Sequence, residues 1–162
     1  MKRCLLLLMA LLPLSAVADS TVVNTRMLTL DLAADMAMAA VRACRKEGYQ
    51  VSVVVVDRAA VPQVELRDAF ASRFTTEIAR RKANAVILSG VSTAEFRANR
   101  AAIVPEMNEL DGILVLAGAL PVRAGGSLLG AIGVSGAPGG DKDEACARAG
   151  LDSIGEQLEF LD

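Results

Sequence analysis

Between Leu30 and Glu47 the apolar positions Ala33, Ala37, Ala40, Val41 and Cys44 recur at three- and four-residue spacing, the repeat of one helix face. Thr29 stands before them as a hydroxyl able to cap the first turn. Gly48 follows as a residue able to take positive φ at the helix end. The pattern predicts a helix over 30–47. The run Val51-Ser52-Val53-Val54-Val55-Val56-Asp57 is short and β-branched, which predicts a strand buried on at least one side. After Arg58-Ala59-Ala60, the stretch Val61 to Arg67 sets Val64 and Leu66 against Gln63, Glu65 and Arg67, a second strand closing a hairpin. Pro62 falls near the start of that strand, where a missing N–H is tolerated.

Ser72 to Leu88 reads as a helix carrying Arg80-Arg81-Lys82, and Thr93 to Val104 as a shorter one ended by Pro105. Ile113 to Ala117 and Leu120 to Arg123 read as short strands, and Gly125-Gly126 as the turn into a returning strand from Ser127 to Ser135. Ala137-Pro138-Gly139-Gly140 reads as a loop, and Asp141 opens a closing helix with a stripe of Ala147, Leu151, Ile154, Leu158 and Leu161. Asp141 with Glu144 three residues on is close to a capping box, and capping accounts for the acidic group Asp141, Asp143 and Glu144 at that end. The order α-β-β-α-α-β-β-β-α implies an α+β domain, an antiparallel sheet of about five strands with helices packed on it.

The first residues carry a different pattern. Met1-Lys2-Arg3, an apolar run from Cys4 to Leu14, and Ala16-Val17-Ala18 before Asp19 follow the order of a signal peptide: basic region, apolar region, A-x-A cleavage site. The apolar run is too short for a bilayer core, which needs about 20 residues, and Cys4 precedes it, so no stable membrane anchor is expected. Residues 1–18 are therefore expected to be removed, leaving 19–162 as a single domain in the periplasm or outside the cell. The 17 basic residues then become 15 against 19 acidic ones, a net charge of −4. That balance excludes a general nucleic-acid binder, which would show a basic patch. With aromatics at 3% and no Trp, the core must be built from Ala, Val, Leu and Ile.

Cysteine and histidine counts narrow the chemistry. Cys4 leaves with the leader, so Cys44 and Cys146 remain; in an oxidising compartment they can form one disulfide, the alternative being two free buried thiols. The chain has no His. His-ligated metals, His-ligated haem, Ser-His-Asp triads and Cys-His pairs are all excluded together. No nucleophile–base pair or metal-ligand cluster stands out, so no enzyme activity is read from the residues. The glycines of Gly130-Ala131-Ile132-Gly133-Val134-Ser135-Gly136 match neither dinucleotide nor P-loop spacing. They lie within a strand, where they serve close backbone approach or admit a flat ligand. In the basic run, a solvated helix face is the common use, but three adjacent positions cannot all face water, and Lys82 lies nearest the apolar side.

Several segments carry a family likeness: Ala43-Cys44-Arg45 with Gly48-Tyr49-Gln50-Val51, Val55-Val56-Asp57-Arg58 with Arg67-Asp68, and Thr76 with Arg81-Lys82-Ala83. The most specific are Gly118 through Pro121-Val122, Gly130 to Gly136, and Asp141-Lys142-Asp143-Glu144-Ala145-Cys146-Ala147. Together they resemble the GlcG/HbpS family, the haem-binding or haem-degrading domain family, over nearly all of residues 28–160. The resemblance implies a profilin-like fold, homo-oligomers and tetrapyrrole binding, haem in some members, without implying catalysis in every member. It also places the first and last helices on one side of the sheet, within reach of a Cys44–Cys146 bridge. Ala60 and Ala119 stand where many relatives have glycine, so looser turns are expected there. Without His, iron would fall to a Met, Tyr49, a Cys, a carboxylate or a hydroxyl, or the ring would bind without an axial side chain. On this reading a haem-like ring lies between the strand Gly130–Gly136 and the helix bearing Arg81 and Lys82. Gly133, Ser135 and Gly136 line the ring and a cation meets a propionate. The competing expectation is an oligomeric accessory or carrier protein for another small ligand.

Overall fold

The structure is a computed structural model, and it describes residues 25–159; the leader and Leu161 lie outside the described residues. The first helix, α1 (Leu30–Lys46), forms as its periodicity predicts. The Thr29 hydroxyl accepts a hydrogen bond from the Leu32 N–H, and Gly48 at φ +80° closes the far end, its N–H donating to the Arg45 carbonyl. β1 (Ser52–Asp57) and β2 (Pro62–Arg67) pair antiparallel. Their turn is organised by Asp57, whose carboxylate accepts from the N–H groups of Ala59 and Val61. Ala60 sits in that turn at φ +63°, a left-handed conformation that costs a residue with a Cβ about 1–2 kcal/mol.

α2 (Thr75–Ser89) ends at Gly90. α3 (Thr93–Asn99) follows, capped by the Ser92 hydroxyl on the Glu95 N–H, then a 3-10 turn (Ala101–Ile103) and α4 (Val104–Asn108). Pro105 thus does not end a helix; it lies in the first turn of α4, where its missing N–H would have had no partner. β3 (Ala119–Ala124) and β4 (Ser127–Ser135) form the second hairpin around Gly125-Gly126, both at positive φ. The stripe read as one closing helix is divided into α5 (Gly140–Asp152) and α6 (Gly155–Glu159).

The sheet has four strands in the order β2-β1-β4-β3, every neighbour antiparallel. The expected fifth strand at 113–117 is not one, because its backbone groups are claimed by other elements. Leu114 N–H donates to the Arg81 carbonyl and Val115 N–H to Asn108 Oδ1, while the carbonyls of Ile113 and Val115 accept from the guanidinium groups of Arg81 and Arg97. A ladder partner would find those groups already used.

Strand alternation divides the core in two. Val53, Val55, Leu120, Val122, Ile132 and Val134 face α1 and α5, whereas Val54, Val56, Ala119 and Ala131 face α2. This explains the unbroken valine run of β1, a strand covered on both sides. Small residues let the layers close: Gly150 of α5 lies against Met36 and Ala40 of α1. Cys44 and Cys146 join those two helices in a disulfide, with Cα atoms 5.4 Å apart, inside the range such a bridge allows.

Candidate functional site

Lys82 and Gly133 meet at the interface of α2 with β4, but no groove separates them. A Cβ added at Gly133 would overlap the carbonyl oxygen of Ala79, so α2 itself occupies the space a flat ring would need. Gly136, at φ +133°, serves the crossing of the chain over Gln50, whose carbonyl would lie 2.6 Å from an added Cβ. Ser135 is buried opposite Ser52 at the end of the β1–β4 ladder. Arg81 fastens the 113–115 segment through Ile113. These five residues are thus framework in the arrangement observed, and the basic run divides as its crowding requires: Arg80 outward in a bridge to Glu77, Lys82 inward.

Lys82 is 1% exposed. Its ammonium donates to Asp143 Oδ2 at 2.8 Å and to the Val134 carbonyl at 3.0 Å, and Asp143 Oδ1 accepts the Ala137 N–H at 3.0 Å. Asp143 is therefore not part of a helix cap: the N-cap of α5 is Gly139, and no side chain caps it. The buried pair was missed because Asp143 sits among acidic neighbours that capping explains. Its signal lay in the spacing, since 143, 146, 147 and 150 fall on one face of α5 and all four are buried. Burial pushes the Lys82 ammonium below its ordinary pKa and the Asp143 carboxyl above its own, and in each case the partner's charge opposes the shift. Gly118, at φ +125°, lies so close that a Cβ would stand 2.7 Å from Asp143 and 2.8 Å from Lys82 Nζ. The pair ties α2, α5 and β4 together without access for a ligand.

Concave surface lies elsewhere. Beside the disulfide, a cleft of about 380 Å³ is lined by Ala43, Lys46, Tyr49, Lys142 and Cys146, with Lys142 Nζ 5.9 Å from the Tyr49 ring centroid. Another, of about 400 Å³, runs from Ala94 and Ala117 to Glu144 and Arg148. There burial raises the Glu144 carboxyl above its ordinary value, opposed by Arg148. A trough of about 500 Å³ separates the end of α2 from the α3–α4 segment. Leu88, Val91, Phe96, Ile103 and Met107 line it together with Ser89, Glu95, Asn99 and Arg100. Leu88 is 55% and Ile103 42% exposed. The α3–α4 segment packs on α2 through a satellite cluster around Ala85, Phe96 and Val115. Among the described residues no three His, Cys, Asp or Glu side chains gather as a metal site, and no helix is long and apolar enough to cross a membrane.

Comparison with known proteins follows from this fold. A crystal structure of an HbpS double mutant from Streptomyces reticuli is 40% identical, covering 90% of this chain and 98% of that one, with a TM-score of 0.78. ORFY of Klebsiella pneumoniae is 23% identical over 85% of this chain and 97% of its own, with a TM-score of 0.77. A PduOC–haem complex is 22% identical over 80% and 96%, with a TM-score of 0.71; at these identities the latter two share the fold. No curated protein matches. The family model described as haem-degrading protein HbpS-like matches residues 28–152. With that match over most of the chain, and 40% identity to HbpS across a shared fold, the chain belongs to the HbpS-like family.

Proposed function

We propose that the protein is an exported haem- or tetrapyrrole-binding protein, a carrier or sensor working in the periplasm or outside the cell after loss of residues 1–18. The observation that carries the binding reading is the trough between α2 and α4. A tetrapyrrole is flat and apolar with carboxylates on one edge. The trough offers five apolar side chains, the Arg100 cation beside the polar Ser89, Glu95 and Asn99, and a volume within the usual range for small-ligand sites, about 300–1,000 Å³. Arg100 forms no ion pair within the described residues and is free to meet a propionate by a charge-assisted hydrogen bond. The residues there fit the group; the filled α2–β4 interface does not. Bound haem would supply redox-active iron, and the chain's part is to hold the ring and exclude water from it.

Titration of the mature, disulfide-bonded protein with haemin tests this. The expected result is a saturable change in the Soret band that Leu88→Asp weakens at least tenfold without lowering the thermal midpoint. No saturable binding by the parent protein overturns the reading. Export is tested by N-terminal sequencing of the secreted or periplasmic protein, which should begin near Asp19; an intact Met1 in the cytosol refutes it. Assembly into a homo-oligomer belongs to the same proposal. Phe70 is 89% exposed and Phe74 is also exposed, an aromatic surface suited to a second copy. Sedimentation showing only monomer would remove that part.

A further inference from the structure

Resting on the trough as the tetrapyrrole site, we infer that the Met107 thioether would be the side chain that holds the iron of a haem bound there, and that such a site would favour ferrous over ferric haem. With the ring in the trough and no His in the chain, a side-chain ligand to iron would come from the heteroatoms that line the trough. Those belong to Ser89, Glu95, Asn99, Arg100 and Met107. The Ser89 hydroxyl is engaged in both directions, donating to the Val91 carbonyl and accepting from the Val91 N–H. The Arg100 guanidinium offers donors only and no lone pair. The Asn99 amide is a weak ligand, and it stands exposed on α3. Glu95 is exposed in the first turn of α3, where its charge complements the helix dipole, and a water-exposed carboxylate is a hard donor.

Met107 differs from all of these. It is half-buried and packs against the cluster of Ala85, Phe96 and Val115 while lining the trough. The Met107 carbonyl accepts from the Leu110 N–H, and the side chain of the next residue, Asn108, accepts the Val115 N–H at 2.7 Å. The side chain itself is unbranched and adaptable, with a soft thioether donor. Thioether sulfur suits the softer, reduced metal, and methionine ligation raises the potential of haem iron.

The experiment compares the parent, Met107→Leu and Met107→His against three probes: iron-free protoporphyrin IX, ferric haemin, and haemin reduced with dithionite. Met107→Leu is expected to bind protoporphyrin IX like the parent and to lose at least tenfold in affinity for ferrous haem. A tenfold preference for ferrous over ferric haem corresponds to a rise of about 59 mV in the bound haem's potential for a one-electron couple, which Met107→Leu should abolish. Met107→His should restore iron binding with a new pH dependence near 6–7, where imidazole titrates. If Met107→Leu leaves ferrous affinity, spectrum and potential unchanged while protoporphyrin IX still binds, Met107 is not the ligand and the trough stands. Equal losses for all three probes reduce Met107 to apolar packing and overturn the ligand role. No protoporphyrin binding by the parent removes the trough and this inference with it.

Discussion

Replacing Lys82 with Met is the most searching test of how this fold is held together. Methionine keeps most of the length and volume of the lysine stem, so the packing of α2 on β4 is nearly preserved and the change is chiefly one of charge. It leaves Asp143 buried with only the Ala137 N–H as a partner and deprives the Val134 carbonyl of its ammonium donor. Removing one partner of a buried pair costs about 3–5 kcal/mol, against a total stability of about 5–15 kcal/mol for a domain. For a domain of this size that is a fall of about 10–20 °C in the thermal midpoint. The pH dependence has a definite sign. Burial already raises the Asp143 carboxyl and the Lys82 charge opposes that rise; without Lys82 the rise is larger. The folded variant then holds a proton that the unfolded chain has released, so the deficit grows as pH climbs from the ordinary Asp value through the raised one. Below that window, where both states are protonated, it is smallest. Urea unfolding of the parent, Lys82→Met, Asp143→Asn and the double variant, at pH 4 and pH 7, measures all of this. The double variant should lose less than the sum of the singles by about 1–3 kcal/mol. A Lys82→Met cost below about 1 kcal/mol at pH 7, or a deficit that shrinks with rising pH, would refute the argument.

Three further outcomes follow from the geometry. Ala60→Gly should stabilise by about 1 kcal/mol, because φ +63° is relieved at some cost in unfolded-state entropy; a lower melting temperature would show that the Ala60 conformation is not strained. Gly133→Ala should destabilise by about 3 kcal/mol or more, since its methyl has only the Ala79 backbone to meet, and a neutral result in denaturant titration would contradict the close approach of α2. Reducing the Cys44–Cys146 bridge, which spans 102 positions, should cost about 4–5 kcal/mol in the chain-entropy account; an unchanged urea midpoint with and without reductant would count against it.

Much of the architecture was written in local pattern. The α1 periodicity with Thr29 and Gly48 at its ends, the valine run of β1, and the two glycines of the second turn each dictate their own conformation through short-range physics. Such signals survive because caps, positive-φ glycines and alternation act within a few residues. The absence of histidine is equally legible, and it alone removes His-dependent metal, haem and triad chemistry.

Other features depend on partners remote in the chain. Ile113 to Ala117 has the composition of a strand, yet Arg81, Arg97 and Asn108 take its backbone groups from outside. Asp143 reads as one of several acids at a helix start until Lys82, 61 positions earlier, is brought to 2.8 Å. The glycines of β4 read equally as room for a ring or for a helix, and the tertiary structure fills the space at Gly133 with α2. Hydrophobic period, caps and turns were thus determined by sequence, because they satisfy the backbone locally. Which buried charges pair, which extended segment is excluded from the sheet and where concave surface remains were decided only when distant elements packed and competed for the same polar groups and volume.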